Sequence, residues 1–246
     1  MLKILLKRSI RFLILFAIRP QPKGITLPGN LLVIAPHPDD EILGLGGTLL
    51  QAINNGSKVS ILYLTDGEGS DVWHDKEEIR KQRIMLSEKA CSEMGINLSH
   101  VFRLHLPDGN IPFRKDYLFE KTAGSVTGII NKVEPDVVFT TSVMEYWPDD
   151  HVAAAEIAQE AVRKSKIRPL LYYYWVWTWF NIGPKNITRL KSKKLRKVDI
   201  RDYYSKKALL KDIYLKSFTS NGKPWSGVLP EYFLQTLESN YEMIES

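Results

Sequence analysis

The chain has 246 residues, of which 44% are apolar and 25% charged. That balance excludes a disordered or fibrous protein and suffices for one large core. The single cysteine, Cys91, excludes an intrachain disulfide and a thiolate-built zinc centre, and fits a reducing, cytoplasmic setting.

The net charge of +6 is concentrated in two runs, Lys3 to Arg19 and Lys185 to Lys197. Each reads as a solvated face or as a contact with an anionic partner. No nucleic-acid module accompanies them, so no nucleic-acid partner is expected. Phe12 to Ile18 is apolar but well short of the ~20 residues that span a bilayer. Arg19-Pro20-Gln21-Pro22 stands where a cleavable signal would have small residues. Residues 1–22 are therefore set apart as a basic, apolar segment, and residues 23–246 are read as one domain. Residues 1–19 would lie on an anionic membrane surface, or dock on the body or on a second subunit of a homo-oligomer.

Leu31 to Ile34 is an aliphatic run that predicts a buried strand. It leads into Ala35-Pro36-His37-Pro38-Asp39-Asp40-Glu41, where two prolines forbid both a continued ladder and an immediate helix. A helix is predicted over Glu41–Asn54, closed at Gly56, then a strand over Lys58–Leu64. A charged helix over Asp75–Met94 ends at Gly95, and a third strand spans Val101–Leu106. A helix over Tyr117–Lys132, a strand over Asp136–Thr141, a helix over Asp150–Lys164 and a strand over Leu170–Trp177 follow. Asn181 to Arg201, polar and basic, reads as a mobile loop or an appended hairpin. The alternation predicts an α/β protein, a three-layer Rossmann-like fold with a mainly parallel sheet.

In such a sheet, ligands bind beyond the carboxyl ends of the strands, and the reactive residues gather there. His37 to Asp40 follow the first strand, Asp66 to Glu68 the second, Asp108 the third, and Asp149 to His151 the fourth. One imidazole and several carboxylates on a rigid turn suit a divalent transition metal, usually zinc. His37 and Asp40 supply two ligands, and His151, opening a helix of small residues, is the best third. Asp39 is the natural base. Zinc lowers the pKa of bound water to about 7, and a neighbouring carboxylate can pass its proton to a leaving amine, which predicts hydrolysis of an amide. His74, His100 and His105 read as surface or structural residues. Gly44-Leu45-Gly46-Gly47 lacks dinucleotide spacing and reads as room for close helix packing and for a ligand.

The Ala35–Glu41 motif, the glycines that follow it and Asp150-His151 at a helix start resemble the LmbE/PIG-L family. Its members are zinc-dependent de-N-acetylases of N-acetylglucosamine-type sugars, and the resemblance runs from about Leu31 to Phe233. It implies His37, Asp40 and His151 as zinc ligands and Asp39 as general base. It also implies Arg83 and Asp108 as substrate contacts, against readings as a helix-surface charge and an ordinary turn residue. Two positions depart from the family pattern. Pro148 stands where a histidine commonly assists the reaction, and Leu86 replaces a glutamate. An imidazole donor there is worth roughly 3 kcal/mol. Either His74, Tyr146 or Asp149 substitutes, or Asp39 serves as both base and acid, or activity is weakened. The expected function is removal of an N-acetyl group from a sugar or glycoconjugate. The alternative is a non-catalytic metal- or sugar-binding relative. Of the dense aromatics between Tyr172 and Phe180, most are expected in the core, with Trp179 a candidate to stack on a sugar ring.

Overall fold

A computed structural model describes residue 27 and residues 29–70, 75–145, 147–178 and 195–246. The expectations placed on residues 1–22, His74, Tyr146 and Trp179 lie outside the described residues.

The strands are β1 (Asn30–Ala35), β2 (Lys58–Thr65), β3 (Val101–Leu106), β4 (Val137–Thr141), β5 (Leu170–Tyr174), β6 (Leu195–Asp199) and β7 (Tyr241–Glu245). The helices are α1 (Asp40–Asn54), α2 (Lys76–Met94), α3 (Phe119–Val133), α4 (Asp149–Lys164), α5 (Tyr204–Leu215) and α6 (Glu231–Leu237). One seven-stranded sheet has the order β3-β2-β1-β4-β5-β7-β6. The first five strands run parallel, while β7 pairs antiparallel with both β5 and β6.

Residues alternate across β1 with the period of a pleated strand. Leu31, Val33 and Ala35 join one apolar layer with α1, α2 and α5 through Ile42, Leu45, Cys91, Leu210 and Tyr214. Leu32 and Ile34 join the other with α3 and α4 through Val126, Ile130, Ile157 and Ala158. Burial on both faces explains why β1 reads as an unbroken aliphatic run. Each such side chain contributes about 1.5–3 kcal/mol when fully buried, and Leu31 to Ile34 have no exposed surface. The turn that follows β1 thus leaves a fixed anchor.

Helix ends follow their residues. Asp75 caps α2 by accepting the Glu78 N–H at 3.2 Å, and Gly95 closes it in the left-handed region at φ 87°. Gly44 is required by close approach, because a Cβ there would collide with Tyr174 and Val176.

The mobile loop or appended hairpin expected over Asn181–Arg201 is corrected at its carboxyl end, where Leu195–Asp199 is strand β6, paired with β7 in the main sheet. Leu195 and Val198 point inward while Lys197 and Asp199 are exposed, so the charge that suggested a loop belongs to the outer face of an edge strand. The expected strand over Leu170–Trp177 ends at Tyr174. Strand β7 and helices α5 and α6 complete the fold beyond the elements read from the sequence. Among the described residues, no helix is long and apolar enough to cross a membrane.

Candidate metal centre and active-site cleft

The sheet order turns at β1, with β2 on one side and β4 on the other. A crevice at the carboxyl ends follows from that reversal. There lies a cleft of about 430 Å³, lined by His37, Asp39, Asp40, Arg83, Asp108 and His151 among others. These six residues are the ligands, base and substrate contacts expected from the sequence.

His37 leaves β1 on the proline-flanked turn. Its backbone N–H donates to Asp40 Oδ2 at 3.1 Å, and its Nδ1 lies 3.2 Å from the same oxygen. His151, on the first turn of α4, brings Nε2 to 3.3 Å from Asp40 Oδ2. The two imidazole rings stand 5.4 Å apart. One donor atom from each of His37, Asp40 and His151 therefore converges, all within 4.8 Å of one another. His151 Nε2 is buried yet has no hydrogen-bond partner among the described residues. Two imidazoles and a carboxylate around an unsatisfied nitrogen fit a divalent transition metal, zinc above all.

The other edge of His37 is held by acids. Its Nε2 lies 3.1 Å from Asp108 Oδ1 and 3.2 Å from Asp150 Oδ2. Asp150 is itself fixed by the N–H groups of Gly109 (2.7 Å) and Ile111 (3.1 Å). Asp108 Oδ2 accepts the Gly69 N–H at 2.8 Å, and Glu68 Oε1 accepts the Asp108 N–H at 3.1 Å. Asp108 is thus more than a turn residue, since it ties the β2 and β3 loops to His37.

The electrostatics are those of a site built for positive charge. Burial disfavours charged imidazoles, but Asp108, Asp150 and Asp40 outweigh it and raise His37 well above the ordinary histidine range. His151 is likewise lowered by burial but raised by Asp40 and Glu145, to about 9. Burial would raise Asp40, yet His151 and His37 hold it far below the usual carboxylate range. Asp108, also opposed by burial, is brought down to about 2 by the bond to His37.

Asp39 behaves oppositely. Burial pushes its carboxyl up to about 7, Arg83 pulls down, and Asp40 and Glu41 add to the rise. Arg83, read from sequence as a substrate contact or a surface charge, is buried. It donates to the Pro38 carbonyl and, at 3.1 Å, to Asp39 Oδ2. The surface-charge reading is thereby corrected, because the helix turns this guanidinium inward beneath the β1 turn. Gly67, at φ 73°, leaves the space it occupies.

Glu145 was not legible as a site residue. It is fully buried and pairs with His151 Nδ1 from six residues upstream. A lone glutamate in the β4–α4 turn gives no signal until the fold folds it back on the helix. Pro148 and Asp149 both line the cleft, as does Trp147. His100 Nδ1 lies 3.3 Å from Ser60 Oγ, and His105 Nδ1 lies 2.6 Å from Asp66 Oδ2.

The PIG-L family, described as GlcNAc-PI de-N-acetylase, matches residues 32–162, more than half of the chain. The chain belongs to the PIG-L family. A 1D-myo-inositol 2-acetamido-2-deoxy-alpha-D-glucopyranoside deacetylase of Actinosynnema mirum is 26% identical over 61% of this chain and 60% of its own length. A probable N-acetyl-alpha-D-glucosaminyl L-malate deacetylase 2 of Bacillus subtilis is 31% identical over 56% of this chain and 62% of its own. The chain thus spans about three fifths of these relatives. Among solved structures, the N,N'-diacetylchitobiose deacetylase of Pyrococcus horikoshii shares the fold, with TM-score 0.61 and 21% identity. That likeness covers 78% of this chain and 72% of the other.

Proposed function

We propose that this chain is a zinc-dependent amidohydrolase that removes the acetyl group from an N-acetylglucosamine-type sugar or glycoconjugate, with residues 23–246 as the catalytic domain. The observation that carries the reading is the convergence of His37 Nδ1, Asp40 Oδ2 and the unsatisfied His151 Nε2 beside Asp39. Family membership and the activities named for the relatives support the substrate class.

His37, Asp40 and His151 would hold the metal. Bound there, zinc supplies Lewis acidity, polarising a carbonyl and lowering the pKa of water. Asp39 is the group that accepts the proton of the attacking water. Its carboxyl, at about 7, is matched to proton transfer near neutrality in either direction. Pro148 carries no proton donor, so Asp39 also delivers that proton to the departing amine nitrogen. Arg83 fixes the Asp39 carboxylate through Oδ2. Asp108, at the cleft edge, accepts sugar hydroxyls. The cleft volume is within the range of small-ligand sites, roughly 300–1,000 Å³.

Purified, zinc-loaded protein supplied with a panel of N-acetylated sugars and glycoconjugates is expected to release acetate. Asp39→Asn, which keeps the size and tolerates the backbone conformation, should retain stoichiometric zinc and lose turnover by about 10²–10⁴-fold. Equal turnover in the variant removes Asp39 from the mechanism. Pro148, in the place of the family's histidine, favours a second reading as a non-catalytic sugar binder. Sugar binding with no acetate from any substrate would decide for it.

A further inference from the structure

We propose that Glu145 is a positioning residue that sets the tautomer of His151 and ties it to the cleft wall, and that it thereby governs zinc affinity. The inference rests on the metal reading above and adds a residue that makes no contact with substrate.

Glu145 has no exposed surface, and an isolated buried carboxylate costs several kcal/mol. Here both oxygens are engaged. Oε1 accepts the N–H of Val176 at 2.5 Å, the N–H of Thr178 at 3.1 Å and the Thr178 hydroxyl at 3.1 Å. Oε2 pairs with His151 Nδ1. The turn bearing Glu145 is pinned in its turn, since Glu145 N–H donates to the Ser142 carbonyl at 3.0 Å and Ser142 Oγ donates to Glu245 at 2.5 Å.

An ionised carboxylate only accepts, so the proton of a neutral His151 must sit on Nδ1. The Nε2 lone pair is then aimed at Asp40 and His37, where the unsatisfied nitrogen is found. An imidazole ligand commonly has such an acceptor on its other nitrogen, and losing it costs 10–100-fold in metal affinity. The same carboxylate fixes the backbone on both sides of Trp177, which lines the cleft. One side chain thus registers the metal ligand against the substrate wall.

Glu145→Gln separates shape from proton placement. If the amide oxygen keeps the three donors of Val176 and Thr178, its NH₂ faces His151 Nδ1. The imidazole must then accept there and carry its proton on Nε2, where a cation should bind. The reverse flip sets an NH₂ against three donors.

The test is zinc affinity of the full chain, measured by chelator competition, beside the wild type, Thr178→Val and His151→Ala. Glu145→Gln is expected to bind zinc 10–100-fold more weakly, and Thr178→Val within threefold of wild type. A Glu145→Gln affinity within twofold of wild type overturns the proposal. So does an equal loss in Thr178→Val, which would mark general loosening of the turn. If His151→Ala binds zinc as tightly as wild type, the metal reading itself fails. Should Glu145→Gln not fold, ¹⁵N-histidine spectra of the zinc-loaded wild type decide. Coordination of His151 through Nε2 with a proton on Nδ1 supports the proposal, and coordination through Nδ1 overturns it.

Discussion

Asp39, the base of the proposed mechanism, holds a backbone φ of 122°, far from the range a side-chain-bearing residue prefers. Such a conformation costs on the order of 1–3 kcal/mol and persists only where its surroundings enforce it. Here Glu41 Oε2 accepts the Asp39 N–H at 3.0 Å, and the Asp39 carbonyl accepts the N–H groups of Ile42 and Leu43 at 3.0 and 2.9 Å. Glu41 is held in turn by the Tyr214 hydroxyl at 2.6 Å. The prolines at 36 and 38 made a strict turn legible; the residues that enforce it were not, because Tyr214 is 173 positions away from Glu41. At the cleft mouth, Trp147 is 56% exposed, with its ring edge-on to Trp177, which stacks on Phe233 at 3.8 Å. An indole held by an aromatic stack would present a firm apolar face to the ring of the proposed sugar substrate. Trp147→Ala should raise KM for the acetylated sugar about five- to tenfold, the worth of ~1 kcal/mol of aromatic contact, with a smaller change in kcat. An unchanged KM removes Trp147 from the binding surface.

At the scale of elements, α1 receives a charge pair from α5 and β7, which pack against it but lie far along the chain. The Leu43 carbonyl and the Gly47 N–H, an i, i+4 pair of the helix, each receive a side-chain partner. Lys207 of α5 donates to the carbonyl at 2.9 Å, and Glu242 of β7 accepts the N–H at 2.8 Å. Glu242 also accepts the N–H and hydroxyl of Thr48, at 2.8 and 2.6 Å, and pairs with Lys207 at 2.7 Å. The small residues Gly44, Gly46 and Gly47 were legible as a close-packing segment, but the ion pair that lies against them was not. Both partners are buried, so removing one leaves the other uncompensated. Lys207→Met is expected to cost about 3–5 kcal/mol in urea unfolding. Lys207→Met with Glu242→Gln should cost less than the two single changes added together. Strict additivity would show that the pair is not coupled.

Over the whole molecule, the cleft concentrates acids around two imidazoles, which makes metal-free stability and metal binding respond oppositely to pH. His151 reaches about 9, above its ordinary value of about 6.5, because Asp40 and Glu145 outweigh burial. A raised group adds stability that is full below its unfolded value and lost as pH climbs through its folded one. Asp39, pushed by burial to about 7, loses stability in the same direction between roughly pH 4 and 7. Asp108, at about 2 through its bond to His37 despite burial, adds stability above roughly pH 4 that is lost as pH falls toward its folded value. Metal-free protein should therefore be most stable near pH 4, with Tm falling from there to about pH 9 as first Asp39 and then His151 lose their contributions. Zinc needs both imidazoles free of protons, so its stabilisation must grow over that interval. Calorimetry with and without zinc should show a Tm gap that widens with pH. A gap that narrows would remove His37 and His151 from the metal site.

By itself the sequence determined the layered α/β architecture, and it led to the expectation that four turns meet at one sheet edge and bring His37, Asp39, Asp40 and His151 together, as they do. These are local facts: strand and helix periods, prolines that stop a ladder, and a run of parallel strands, β1 to β5, that sends their carboxyl ends the same way. Only the tertiary structure decided that Arg83 turns inward onto Asp39, that Asp108 and Asp150 brace His37, that Glu145 backs His151, and that β6 and β7 close the sheet. Each of these is a contact between groups far apart in the chain or in separate elements. Such contacts depend on charges and polar groups finding partners where water is excluded, a setting that exists only once the layers have closed.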